Sequence, residues 1–198
     1  MKKSIITIFL CLSFFVPCHN AAGILLNLTE KDIEDAIKQG EKQGYNVAEY
    51  LEKNYRFGEK DLFEENGIIR TKWNKLVVLS GLLSAGGKRI SDQEKERITK
   101  SVDLQIDIHT FGNRIDFASA YKVYLVQKGK NIEPEKISAN HVAYLPEKRV
   151  ATSGFSKYRA TVRSYFPYDT IGLNEKAEIV LVKNKKKVIF EVDFAKFK

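Results

Sequence analysis

The pattern of the sequence changes at residues 102–109, which read Val-Asp-Leu-Gln-Ile-Asp-Ile-His. Apolar and polar side chains alternate along it. This is the period of a half-buried strand, because successive strand residues point to opposite faces. Before this stretch the apolar residues recur at helical spacing, and after it strand-like segments dominate. The change of period near residue 102 therefore predicts helices first and strands afterwards.

The segment before residue 102 carries helix-start signals and one largely apolar helix. Capping patterns begin at Thr29, Asn46 and Ser91, where a short polar side chain can accept a backbone N–H of the first turn. Residues 71–85 are apolar around most of a helical wheel, which predicts a helix buried on more than one side. Its Trp73 is expected to be buried and to join the helices to the strands.

Several segments after residue 109 have strand character. They are residues 121–127, 158–166, 179–182 and 188–192. Residues 134–157 lack a clear period, so we predict a long connection there. Glu65-Asn66-Gly67, upstream of the helix with Trp73, has the composition of a turn.

This order of elements predicts an α+β fold. We expect an N-terminal helical segment packed on a C-terminal antiparallel β-sandwich of immunoglobulin-like type. The predicted organisation is a signal peptide over residues 1–22, a helical region over residues 23–101 and the β-sandwich over residues 102–198.

Residues 1–22 have the three parts of an export signal. Two lysines supply the positive start, residues 5–16 form a 12-residue apolar run, and two alanines precede Gly23 as a cleavage zone. The run is too short to cross a bilayer as a helix, and no later segment approaches that length. We therefore expect a periplasmic or secreted protein with no transmembrane segment after signal removal.

Both cysteines, Cys11 and Cys18, lie within the predicted signal. A chain beginning at Gly23 would have no disulfide, no thiolate metal site and no cysteine nucleophile. A lipoprotein modified at Cys18 is the alternative. Pro17 stands where lipoprotein signals need a small residue, which favours simple cleavage.

No catalytic, cofactor or metal motif stands out in the rest of the chain. Asp103, Asp107 and His109 share one face of the strand at 102–109. Two carboxylates and an imidazole could ligate a metal, but a solvated sheet face explains the same alternation. His141 is expected in a surface loop, and no Gly-x-Ser-x-Gly elbow accompanies it. We therefore predict no catalytic residue, no metal and no cofactor.

The most suggestive cluster is Arg159, Arg163 and Tyr165 on one strand face, followed closely by Tyr168. Guanidinium groups bind carboxylate, sulfate or phosphate, and tyrosines pack at recognition sites. The alternative is an outer sheet face on which arginines and tyrosines stack across strands.

These observations favour an exported, non-enzymatic binding or assembly module that uses the outer face of the sandwich. A net charge of +8 suits an acidic partner, such as a protein or an acidic glycan of the cell envelope, and not nucleic acid. One alternative is an exported hydrolase whose acids and histidine meet only in the folded chain. The other is an adhesin that binds anionic surfaces through the lysines of residues 183–187.

Overall fold

The computed structural model describes residues 23–59, 64–143, 158–183 and 186–198. The predicted signal peptide with Cys11 and Cys18, residues 184–185 of the lysine-rich tip and residues 144–157 of the predicted 134–157 connection lie outside these residues. Within the four described ranges, no helix combines the length and the apolar character that crossing a membrane requires.

In the described residues, four α-helices precede most of the strands. They are α1 Glu30–Gln43, α2 Val47–Tyr55, α3 Lys72–Ala85 and α4 Asp92–Thr99. The capping boxes predicted at Thr29 and Ser91 are confirmed, each with a reciprocal bond from the acidic residue three positions on. The cap predicted at Asn46 is wrong. A 3₁₀ turn, Gly44–Asn46, leads directly into α2, and the Asn46 side chain makes no capping bond.

Helix α3 is the central helix of the protein. Thr71 caps its start, and Trp73 is only 7% exposed, as predicted. Helix α1 approaches α3 closely where Gly40 meets Ser80. A Cβ on Gly40 would overlap the Ser80 hydroxyl, so the missing side chain permits this approach. The Lys198 ammonium lies 3.6 Å from the centre of the Trp73 ring, so the end of the described chain packs on this helix.

Nine strands form two antiparallel sheets in the described residues, which makes the fold α+β. The first sheet has the order β1-β2-β3-β7-β6. Its strands are β1 Arg56–Gly58, β2 Asn66–Arg70, β3 Asp103–Gly112, β6 Lys136–Ala143 and β7 Tyr158–Pro167. The second sheet has the order β5-β4-β8-β9. Its strands are β4 Lys122–Gln127, β5 Lys130–Ile132, β8 Lys176–Lys183 and β9 Lys186–Asp193.

Two predictions of irregular structure are wrong. Asn66 and Gly67 belong to strand β2, where both are buried and pair with β3. Because β2 is buried on both faces, its residues do not alternate as those of a half-buried strand do. Part of the predicted 134–157 connection is strand β6. It lies at an edge of its sheet, so its sequence lacks a clear apolar face.

The predicted boundary near residue 102 does not separate two hydrogen-bonded units. Strand β2 comes from the predicted helical region and pairs with β3 across that boundary. The helical region therefore contributes β1 and β2 to the first sheet.

One hydrophobic core runs through the helices and both sheets. Leu104, Ile106 and Ile108 point into it from β3, and Leu76 reaches it from α3. The opposite face of β3 carries the polar residues of the alternating stretch. Helices α3 and α4 lie beside this polar face, and the gap between them and the sheet forms a cleft.

Candidate functional site

The cleft between the first sheet and helices α3 and α4 has a volume of about 540 Å³. The sheet contributes Arg70, Gln105, Asp107, Arg163 and Tyr165 to its lining. The two helices contribute Lys75, Val78, Leu79, Leu82, Arg97 and Ile98. Four of these lining residues are basic and one is acidic. We refer to this cleft as the charged cleft.

Strand register brings the sheet residues of the charged cleft together. Asp107 of β3 lies opposite Arg163 of β7, and Gln105 lies opposite Tyr165. On the other side of β3, Arg70 of β2 is also opposite Gln105. Directly opposite residues of an antiparallel pair share a face, so all five side chains project toward the same side.

Asp107 organises the polar groups at the base of the cleft. Its side chain is only 6% exposed. The Arg70 Nε donates to Oδ2 at 3.2 Å, and the Gln105 Nε2 donates to Oδ1 at 2.8 Å. The Arg163 Nε lies 3.9 Å from Oδ1. The prediction of a solvated sheet face is therefore wrong for Asp107, because β2, β7 and the helices enclose it.

The described lining of the cleft holds more positive than negative charge. Asp107 is shared between Arg70 and Arg163, while Lys75 has no hydrogen-bond or ion-pair partner among the described residues. Burial lowers the pKa of Lys75 to about 8, even though the charge of Asp107 opposes this shift. Lys75 is therefore still mostly protonated at neutral pH, and the lining carries an excess of three positive charges.

One wall of the charged cleft is apolar. Val78, Leu79 and Leu82 follow Lys75 at helical spacing, so all four share one face of α3. Val78 and Leu79 are half-buried, and Leu82 is 51% exposed. The buried Ile98 of α4 adds a further apolar group.

The structure brings together two of the four predicted site residues. Arg163 and Tyr165 line the charged cleft. Arg159 is four residues from Arg163 along β7, or about 13 Å at strand spacing, and is not among the lining residues. Tyr168 is only 4% exposed, and the Lys72 ammonium lies 5.3 Å from the centre of its ring. The Tyr168 side chain therefore does not lie on the exposed face.

Both described histidines are engaged within the fold. The Arg159 Nη2 donates to His109 Nδ1 at 3.2 Å, and the Thr161 hydroxyl lies 3.1 Å from the same atom. Burial, followed by the charge of Arg159, lowers the pKa of His109 to about 4. His141 is half-buried in β6, and its Nε2 accepts the Ala118 backbone N–H at 3.1 Å. The prediction of a surface-loop histidine is therefore wrong.

The described part of the chain holds no group of three or more His, Cys, Asp or Glu side chains that could bind a metal ion. Asp103, Asp107 and His109 do not form one, although they share the face of β3.

Sequence reasoning missed three basic residues of the cleft. Lys75 could have been noticed as a charged residue inside an otherwise apolar helical segment. Arg70 ends strand β2, whose residues do not alternate between buried and exposed and so give no strand signal. Arg97 lies in a polar helix, where nothing distinguishes it from its neighbours.

Comparison with known proteins identifies no relative of this chain. No protein-family model matches it, and no significant match was found among curated proteins or solved structures. The fold and the site define an α+β protein with a cationic cleft. A function for this protein is therefore argued from the chemistry of that cleft.

Proposed function

We propose that this protein is an exported, non-enzymatic binding module that recognises an acidic group of its partner in the charged cleft. The observation that carries the proposal is the set of four basic side chains around a single buried carboxylate. Bonds from guanidinium and ammonium groups to an anion are about twice as strong as neutral hydrogen bonds. Arg163 is 42% exposed in its side chain, so a ligand can reach it.

Binding has more support than catalysis. The described lining of the charged cleft contains no histidine, serine or cysteine. The Nδ1 lone pair of His109 already accepts a bond from Arg159, which leaves it poorly placed to act as a base. The hydrolase alternative therefore has no specific support. The adhesin alternative depends on the lysines of residues 183–187. Lys183 pairs with Glu65, and the Lys187 ammonium lies 5.7 Å from the centre of the Tyr124 ring, so both are already engaged within the fold.

The finer architecture and the location are part of this proposal. The chain passes between the two sheets three times, from β3 to β4, β5 to β6 and β7 to β8. Such crossings, and the core shared by both sheets, support a β-sandwich of immunoglobulin-like type. The signal-like residues 1–22 support a periplasmic or secreted protein, whose partner would be a protein or an acidic glycan of the cell envelope.

The test is an NMR titration of the purified protein with sodium acetate and with inorganic phosphate. We expect saturable shifts of the Arg163 and Arg97 Nε–H signals. Arg114 is an exposed arginine outside the charged cleft and serves as the internal control. The variant Arg163→Gln should weaken binding, and Arg114→Gln should not. Equal shifts at all arginines, or no saturation, would contradict the proposal.

A further inference from the structure

The apolar stripe on α3 begins beside the charges of the cleft and runs away from them. Lys75 and Leu82 are seven residues apart, which is about 10 Å along a helix axis. Val78 and Leu79 occupy the turn between them. The stripe therefore joins a cationic end, near Asp107 and Arg163, to an apolar end at Leu82.

The apolar end is not explained by the packing of α3. The helix already buries its other side, where Leu76 and Val77 are fully enclosed in the core. Val78 and Leu79 also pack partly against the core, but Leu82 faces solvent, where a helix normally carries polar residues. Here Leu82 is 51% exposed beside a cleft of about 540 Å³. That volume falls within the range of about 300 to 1,000 Å³ that is typical of small-molecule sites.

We propose that the charged cleft binds a single amphipathic acyl anion, with its carboxylate against Arg163 and Lys75 and its chain along Val78, Leu79 and Leu82. This inference rests on the anion site of the proposed function, and it assigns to that site a small-molecule ligand in place of a protein or glycan partner. Charge complementarity selects the carboxylate end, since the lining carries three excess positive charges. The apolar stripe selects an apolar chain, because burying apolar surface is favourable and roughly proportional to area.

A single molecule fits the geometry better than a bilayer surface. The base of the cleft, where Asp107 is only 6% exposed and Lys75 is half-buried, lies between a sheet and two helices. A flat membrane would contact Leu82 but would not bring its headgroups to the base. The carboxylate of one free molecule can enter the cleft and still leave its chain on α3.

The first experiment measures how affinity depends on chain length. Acetate, hexanoate, octanoate and decanoate are each titrated into the purified protein, below their micelle concentrations. Each buried methylene contributes about 0.8 kcal/mol, so affinity should rise about fourfold per methylene until the stripe is covered. Decanol serves as the chain without the charge, and it should bind much more weakly than decanoate.

The second experiment compares Leu82→Asn with Ile115→Asn. Both side chains are exposed, but Ile115 is outside the charged cleft. We expect Leu82→Asn to weaken decanoate binding about tenfold while the acetate-induced shift at Arg163 stays unchanged, which also reports an intact fold. Ile115→Asn should leave both unchanged.

The outcomes separate this inference from the proposed function. Arginine shifts with acetate, but no gain with chain length, would overturn the acyl ligand and leave the anion site intact. No saturable response to any anion would overturn both. Equal affinity for decanol and decanoate would overturn the role of the charges. Binding to phosphatidylglycerol vesicles without binding of monomeric decanoate would overturn the single-molecule ligand.

Discussion

The guanidinium of Arg70 on β2 reaches diagonally to the carboxylate of Asp107 on the neighbouring strand β3, with Nε 3.2 Å from Oδ2. Arg70 lies directly opposite Gln105, and Gln105 bonds the other carboxylate oxygen from within the same strand. Both oxygens of Asp107 are therefore engaged by fixed partners. Arg163 lies farther away, with its Nε 3.9 Å from Oδ1, and its side chain is 42% exposed against 26% for Arg70, so a ligand can reach it more easily.

Replacing the carboxylate of Asp107 should destabilise the protein. In Asp107→Asn the positive charge of Arg70 loses its negative partner. The Arg70 side chain is 26% exposed. We expect the free energy of unfolding to fall by about 2 kcal/mol, less than the roughly 3 to 5 kcal/mol of a fully buried pair, because water reaches Arg70. Urea unfolding measures this change. The exposed Asp169 offers the control Asp169→Asn, and equal stability of the two variants would contradict the role given to Asp107.

Truncating the single tryptophan should be costly. Trp73 is 7% exposed, contributes to the core and lies beneath the Lys198 ammonium. Trp73→Ala should lower the free energy of unfolding by about 3 to 5 kcal/mol, which is typical of large-to-small core substitutions. Circular dichroism in urea gives the value without relying on tryptophan fluorescence. Leu82→Ala, at an exposed position of the same helix, should change stability far less.

A single methyl group at Gly40 should separate α1 from α3. A Cβ there would overlap the Ser80 hydroxyl and the Val77 carbonyl oxygen. Gly40→Ala should therefore reduce the free energy of unfolding by about 1 to 3 kcal/mol, as overpacking does, although alanine is the better helix former. At Gly86 the nearest atom to an added Cβ is 3.5 Å away, so Gly86→Ala is the matched control. A Gly40→Ala protein as stable as the wild type would rule out the close approach of the helices.

His109 should make stability depend on pH below neutrality. Its pKa is lowered from 6.5 to about 4 in the folded protein, by burial first and the charge of Arg159 second. Between these values the unfolded chain binds more protons, so stability is full above about pH 6.5 and is lost as the pH falls toward 4. The loss attributable to this group is about 2 to 3 kcal/mol.

An NMR titration of the His109 ring protons tests this directly. Arg159→Gln removes the second cause and should raise the pKa of His109 toward its ordinary value, though not fully, because burial remains. A titration midpoint near 6.5 in the wild type would contradict the burial of this ring.

Lys75 should make anion binding depend on pH above neutrality. Since its pKa is lowered to about 8 by burial, the free protein loses this positive charge as the pH rises through 8. Asp107 and Asp103 favour the charged form, while Arg70 and Arg97 oppose it. Decanoate affinity should therefore fall between pH 7 and 9.5, because the ammonium that faces the carboxylate is lost.

Lys75→Arg keeps the charge throughout this range and should abolish the decline. Lys75→Gln should bind weakly at pH 7 and show no further loss at higher pH. A wild-type affinity that is constant from pH 7 to 9.5 would exclude Lys75 from the site. Calorimetric titration at several pH values provides the comparison.

Local patterns determined a substantial part of this fold. The caps at Thr29 and Ser91 depend on bonds that span three residues, and the apolar wheel of α3 depends on the helical period alone. The alternation at residues 102–109 likewise identified β3. Arg163 and Tyr165 could be placed on one face of a strand because a strand has a period of two.

Which residues contact one another depends on how the elements pack in three dimensions. Strand β2 has no alternation because it is buried on both faces, and β6 has none because it lies at an edge. Arg70, Lys75 and Arg97 join Arg163 only because β2, α3 and α4 pack around β3 and β7. Asp107 and Tyr168 are likewise buried by the packing of other elements against their own. Periodicity describes a residue's own element, whereas burial and charge clustering depend on contacts between elements distant in sequence, which no local pattern records.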